Sequence, residues 1–137
     1  MFLRSAFPMF AVSLLLSATQ ATADPAMECN TNGGSQVDIR RCLGEVENNV
    51  DLALEIALEF AMDAAKELDN VTGRAVAVPS LQAGQAAWSD YRDKHCEYVG
   101  ATFGGGSGTG IAIRSCRIEL GRVRTDMLMR YTVELTT

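Results

Sequence analysis

The chain has 137 residues, with 12 basic against 17 acidic side chains, a formal charge of −5 and 47% hydrophobic residues. That length suits one domain with a modest core. The acidic balance argues against nucleic acid, whose phosphates need a basic footprint, and against an anionic membrane surface.

The N-terminus reads as an export signal and not as part of the fold. Arg4 marks a short basic region, Ala6 to Leu16 form an apolar stretch, and Ala21-Thr22-Ala23 is a small-x-small cleavage pattern. The apolar stretch is too short to span a bilayer, which takes roughly 20 residues. Cleavage after Ala23 predicts a mature start at Asp24. Only Arg4 is charged within residues 1–23, so 12 basic groups become 11 against 17 acids and the formal charge becomes −6. Asp24 and not a cysteine stands directly after the cleavage point, which argues against a lipid anchor. The expectation is a soluble periplasmic or secreted protein, free of the membrane once cleaved, with residues 24–137 as one domain.

All four cysteines, Cys29, Cys42, Cys96 and Cys116, fall in that exported part. An even count in an oxidising compartment reads as two disulfides. Three pairings are possible; the sequential one, Cys29–Cys42 and Cys96–Cys116, closes the shortest loops and is the expectation.

Beyond the turn-rich stretch Asn30 to Ser35, Ser35 and Asp38 resemble a capping box opening a helix. Apolar residues then recur at three- and four-residue steps to about Asn70. Leu43, Val46, Val50, Ala53, Leu54, Ala57, Phe60, Ala61, Ala64 and Leu68 share one face. Gly44 is a point where a short first helix can bend into the longer one. The opposite face carries Glu47, Asp51, Glu55, Glu59, Asp63 and Glu67. It reads first as a solvated exterior and second as a docking ridge for a basic protein. Gly73 and Pro79 mark the break before a second helix, which reaches about Val99 with Leu81, Gly84, Trp88, Tyr91, Arg92, His95 and Val99 on one face. Asn70-Val71-Thr72 matches a glycosylation sequon, though nothing in the chain shows a eukaryotic source. After the loop Phe103 to Gly110, a third helix runs from about Ile111 to Tyr131, with Ile113, Cys116, Leu120, Val123, Met127 and Tyr131 inward.

The candidate chemistry is sparse. His95, the single histidine, precedes Cys96. Neighbouring helical residues point about 100° apart, and a disulfide-bonded sulfur is no nucleophile. Both residues read as structural, with a partner contact as the alternative for His95. The cysteine spacings match neither the paired ligands of zinc sites nor a C-x-x-C redox motif. The glycine loop lacks the lysine and spacing of a phosphate cradle and reads as an exposed connector. The carboxylates show no sign of burial, so acid–base catalysis is unsupported. No cofactor, no metal and no enzymatic activity are expected.

One run carries a resemblance. Gln85, Trp88, Tyr91-Arg92 and Cys96 on the second helix, then a glycine-rich loop, Cys116, and Arg124-Thr125 with Leu128 on the third, follow in order. This arrangement resembles the exported LprI-like lysozyme-inhibitor family, over nearly all of residues 27–131. Cys29 and Cys42 look like that family's first cysteine pair. Two departures are Gly121, where the family tends to carry threonine or a polar residue, and the missing anchor cysteine of its lipoprotein members. The resemblance implies a small helical, disulfide-stapled envelope protein. Trp88, Arg92 and Arg124 read as architecture, with the arginines pairing to acids such as Asp90, Asp93 or Asp126.

The combined expectation is an all-α fold: a small antiparallel helical bundle of three main helices stapled by two disulfides. Its expected function is non-enzymatic binding, as an inhibitor of lysozyme or a related basic cell-wall hydrolase. The alternative is an envelope structural or interaction protein with an unrelated partner.

Overall fold

The computed structural model describes residues 24–31 and 33–134; the expected signal segment lies outside them. Among the described residues the elements are α1 (Pro25–Cys29), α2 (Gln36–Thr72), α3 (Ala77–Ala101) and α4 (Thr109–Glu134). The three long helices form the expected antiparallel bundle, and both disulfides pair sequentially, Cys29–Cys42 and Cys96–Cys116. The five-residue α1 has no counterpart in the sequence reading. Asp24 caps it by accepting from the Ala26 amide at 2.8 Å, and Pro25 takes its first position. Disulfide Cys29–Cys42 ties α1 to α2, and Arg122 of α4 forks onto Glu28 with both contacts at 2.8 Å. That fork holds the Glu28 carboxyl below its ordinary pKa, chiefly through the hydrogen bond from Arg122.

The capping box at Ser35 forms as read: Ser35 Oγ accepts from the Asp38 amide and Asp38 accepts from the Ser35 amide. From there α2 is one continuous helix through Gly44, about 55 Å long. Gly44 does not interrupt it. A side chain there would meet the Arg114 guanidinium, 3.2 Å from an added Cβ. The helix ends at Gly73, whose φ of 66° is the left-handed cap that only glycine adopts cheaply. Helix α3 has no cap from its own Val76. Asp69, in the last turn of α2, accepts from the amides of Val76, Ala77 and Val78 at 3.0, 2.8 and 3.0 Å. One carboxylate thus satisfies the start of α3 and fixes the α2–α3 corner.

The core holds Leu54, Ala57, Ala61 and Leu128, with Leu58, Leu81 and Trp88 packed against them. Leu43, Ile118 and Cys96 are fully buried nearer the other end. Several expected inward residues are not inward. Phe60 (55% exposed), Leu68, Tyr91, Val123, Met127 and Tyr131 are exposed, as are Ala53 and Gly84. On α4 Cys116 is buried as expected, together with Ala112, Ser115, Ile118, Gly121 and Leu128. Small residues occupy the seam because the helices approach closely. A Cβ on Gly121 would lie 2.6 Å from Val50 Cγ1, so any larger residue here would push α2 from α4.

Candidate functional site

The run of residues behind the family resemblance folds into one cluster at the α3–α4 seam. Trp88 lies half-buried, with the Arg92 guanidinium 5.6 Å and the Arg124 guanidinium 5.8 Å from its ring centroid. Arg92 does not pair with a neighbouring acid on its own helix. It reaches across to Asp51 of α2 at 2.7 Å and donates to the Arg117 carbonyl at 3.1 Å. Arg124 donates to Gln85 at 3.0 Å, and burial pushes its pKa down. Thr125 donates back to the Gly121 carbonyl at 3.0 Å, and Leu128 completes the floor. Asp90 pairs with Lys94 and Asp93 with Arg117, so the expected arginine partners were misassigned. Of the motif residues, Tyr91 alone turns outward, stacked on His95 with centroids 5.2 Å apart.

The acidic row of α2 divides in two. At its start, Glu47 is tucked inward, with 12% of its side chain exposed, and accepts from Arg114 at 2.9 Å with Arg117 at 3.8 Å. Arg117 also approaches Asp93 and Glu97 of α3, at 3.4 and 3.7 Å. Glu47 and Asp51 therefore bind the three helices together; Glu47 is not solvated exterior, contrary to the reading from sequence, whereas Asp51 pairs with Arg92 while staying exposed. Glu55, Glu59, Asp63 and Glu67 do face solvent. The split follows from geometry: residues four apart on a 3.6-residue helix drift around it, and the row leaves the interface by its second turn.

A second locus lies at the end of the bundle that carries the glycine loop. Here Asp24, His95, Phe103, Ser115, Glu119 and Leu120 line a cleft of about 440 Å³. Disulfide Cys96–Cys116 holds its two helical walls with Cα atoms 5.5 Å apart. Gly104 and Gly105, with φ of 63° and 77°, let the chain turn tightly from α3, and Arg40 donates to the Ser107 carbonyl at 3.4 Å. Loss of solvent raises the Glu119 pKa, the Asp24 charge raises it further, and Arg122 opposes them. A ladder of exposed Tyr91, half-buried His95 and exposed Tyr98 runs along α3 beside this end. Sequence reasoning pointed to the loop but missed the cleft, because Asp24 and Glu119 meet only once α1 docks.

His95 and Cys96 do not form a dyad. Cys96 is fully buried in its disulfide, while His95 lies between Tyr91 and Tyr98. Among the described residues there is no cluster of three or more His, Cys, Asp or Glu placed to hold a metal, and no helix long and apolar enough to cross a membrane.

The family model described as lysozyme inhibitor LprI matches residues 26–128. The chain belongs to the LprI lysozyme-inhibitor family. The match takes in both disulfides and the whole Trp88 cluster, so in this LprI-family chain the motif is the packing signature of the bundle. The chain is also similar to an uncharacterized protein, R02472, of Rhizobium meliloti (strain 1021). The two are 32% identical over 133 residues, covering 92% of this chain and 94% of that one. No solved structure matches.

Proposed function

We propose that this LprI-family protein is an exported, non-enzymatic inhibitor of lysozyme or a related basic cell-wall hydrolase. The observation that carries the reading is the family match over residues 26–128. The chemistry is consistent with it. Each cysteine is committed to a cross-link. The exposed acids Glu55, Glu59, Asp63 and Glu67 lie along the outer face of α2, where they would draw a basic protein toward the surface. Contact would follow at the loop end, where the aromatic ladder, Phe103 and the cleft offer apolar surface beside acid.

The test is lysozyme turnover of cell-wall substrate with the purified protein. Inhibition is expected at low ionic strength. It should weaken as salt rises from about 0.01 M to about 0.15 M, which shortens the Debye length from about 30 Å to about 8 Å. Turnover unchanged at high micromolar protein and low salt would refute the reading and favour an unrelated envelope partner.

A further inference from the structure

Tyr91 on α3 and Val123, Met127 and Tyr131 on α4 have the spacing of inward residues, yet all four are exposed. They fall on one side of the molecule. Residues four apart on a helix share a face, so Val123, Met127 and Tyr131 make one row along α4. Val123 and Met127 stand about 200° and 240° around α4 from Gly121, the residue that meets α2 at Val50. The row therefore points away from α2. On α3, Tyr91 stacks on His95, and Ala87 continues that row, exposed, one turn earlier. His95 and Leu120 line the same cleft across the α3–α4 seam, which sets the two rows side by side. The result is an apolar face two helices wide that no described element covers.

Charge identifies what fits it. Along the outer edge of the α4 row stand Asp126 and Arg130, exposed, four residues apart and in no ion pair among the described residues. At the opposite edge Asp90 and Lys94 already neutralise each other at 2.7 Å. An acid followed by a base along one edge is self-complementary. A second copy laid antiparallel across a two-fold axis brings each Asp126 toward the Arg130 of the other copy. The outer face of α2 has no such symmetry, because Glu55, Glu59, Asp63 and Glu67 would meet their own kind. A basic protein is drawn to that acidic face and finds no excess of acid on this one. An anionic membrane repels a chain with 17 acids and 12 bases.

We propose that two copies of this chain pair through the α3–α4 face, antiparallel about a two-fold axis beside Met127, with Tyr91, Val123, Met127 and Tyr131 buried and Asp126 of each copy on Arg130 of the other. Two helices side by side, each about 10 Å across, over a length of about 25 Å give roughly 500 Å² for each copy. The sum of roughly 1,000 Å² is at the lower limit for a biological interface, so the dimer is weak and reversible. Met127 lies 11 residues, about 16 Å, along α4 from Cys116 at the loop end. Tyr98 and Phe103 accordingly stay open in the pair, and the proposal stands or falls independently of the inhibitor reading.

The test is sedimentation of the purified protein over a concentration series reaching the high micromolar range. The mass of the wild type is expected to rise from monomer toward dimer. Met127→Asp places like charges at the axis and should hold the protein monomeric, with its helical circular dichroism unchanged. Asp126→Arg and Arg130→Asp each replace attraction by repulsion and should each weaken pairing roughly fivefold or more, since two symmetric contacts are lost. Mixing those two variants restores opposite charges at both contacts, so the mixture should associate more tightly than either variant alone, a result that no folding defect can mimic. A wild type that stays monomeric throughout overturns the proposal. So does association that Met127→Asp and the charge reversals leave unchanged, which would place the contact on another surface. A monomer whose Met127 amide NMR signal shifts only when lysozyme is added would hand this face to the hydrolase and overturn the proposal as well.

Discussion

Single residues shape this bundle, and three of them make sharp predictions. Asp69 accepts from three backbone amides at the start of α3, and those hydrogen bonds hold its pKa below the ordinary 3.8. A carboxyl depressed on folding contributes stability that is complete above its unfolded pKa and disappears as pH falls through the lower folded value. Asp69→Asn should therefore melt below wild type at neutral pH, with the gap closing as pH drops past about 3.8. Circular dichroism melts across that range provide the check, and a gap that stays constant to pH 2 would show that the charge is irrelevant. Glycine positions give the second prediction. Gly121→Ala must displace Val50, at roughly 1–3 kcal/mol. At Gly84, inside α3, nothing lies within 4 Å of an added Cβ, so Gly84→Ala should stabilise by roughly 0.5–1 kcal/mol. Denaturant unfolding of the two variants should move in opposite directions.

At the scale of elements, the helices were legible because capping, periodicity and breakers agree. Ser35 with Asp38 opens α2, Gly73 closes it, and the glycine loop separates α3 from α4. Which face turns inward was less legible. On α2 the apolar set is wider than the interface needs, so Leu52, Ile56 and Phe60 remain outside at 57%, 45% and 55% exposure. Leu54→Ala should accordingly cost about 2–5 kcal/mol, while Phe60→Ser should stay within about 0.5 kcal/mol of wild type. Comparable losses in the two variants would mean that Phe60 packs in solution. On α4 the periodicity is blurred because Arg114, Arg117, Arg122 and Arg124 occupy packing positions. Their stems cover apolar surface while their heads reach Glu47, Glu28 and Gln85. The short α1 left no periodic trace, since five residues cannot display one.

At the scale of the whole molecule, two cross-links hold a core that is small for three helices of this length. The bridges close spans of 13 and 20 residues, and restricting the unfolded chain in this way is worth about 3 kcal/mol each. Replacing Cys96 and Cys116 together by alanine should lower unfolding free energy by about that amount and loosen the loop end, which urea titration with and without reductant would measure. Native protein should show no thiol to labelling reagents, and labelling of unreduced denatured protein would contradict the cross-linked bundle. The same architecture confines candidate chemistry to surfaces, because the interior positions next to Cys96 and Cys116 are occupied by the bridge.

The sequence by itself determined the helical class, the boundaries of the three long helices to within a few residues and the kinship carried by Trp88, Arg92 and Arg124, and it put the observed disulfide pairing first among three. Those features are local or depend on order along the chain, so capping residues, spacing and cysteine count suffice for them. Only the tertiary structure decided where the charges go. It turned Glu47 and Asp51 from an outer ridge into bonds between helices, made Asp69 the cap of a helix it does not belong to, and set Asp24 and Glu119 in one cleft. A charged side chain has no preferred partner along the chain; its partner is whichever opposite or orphaned group the packing brings within reach, and packing is settled by all three helices at once.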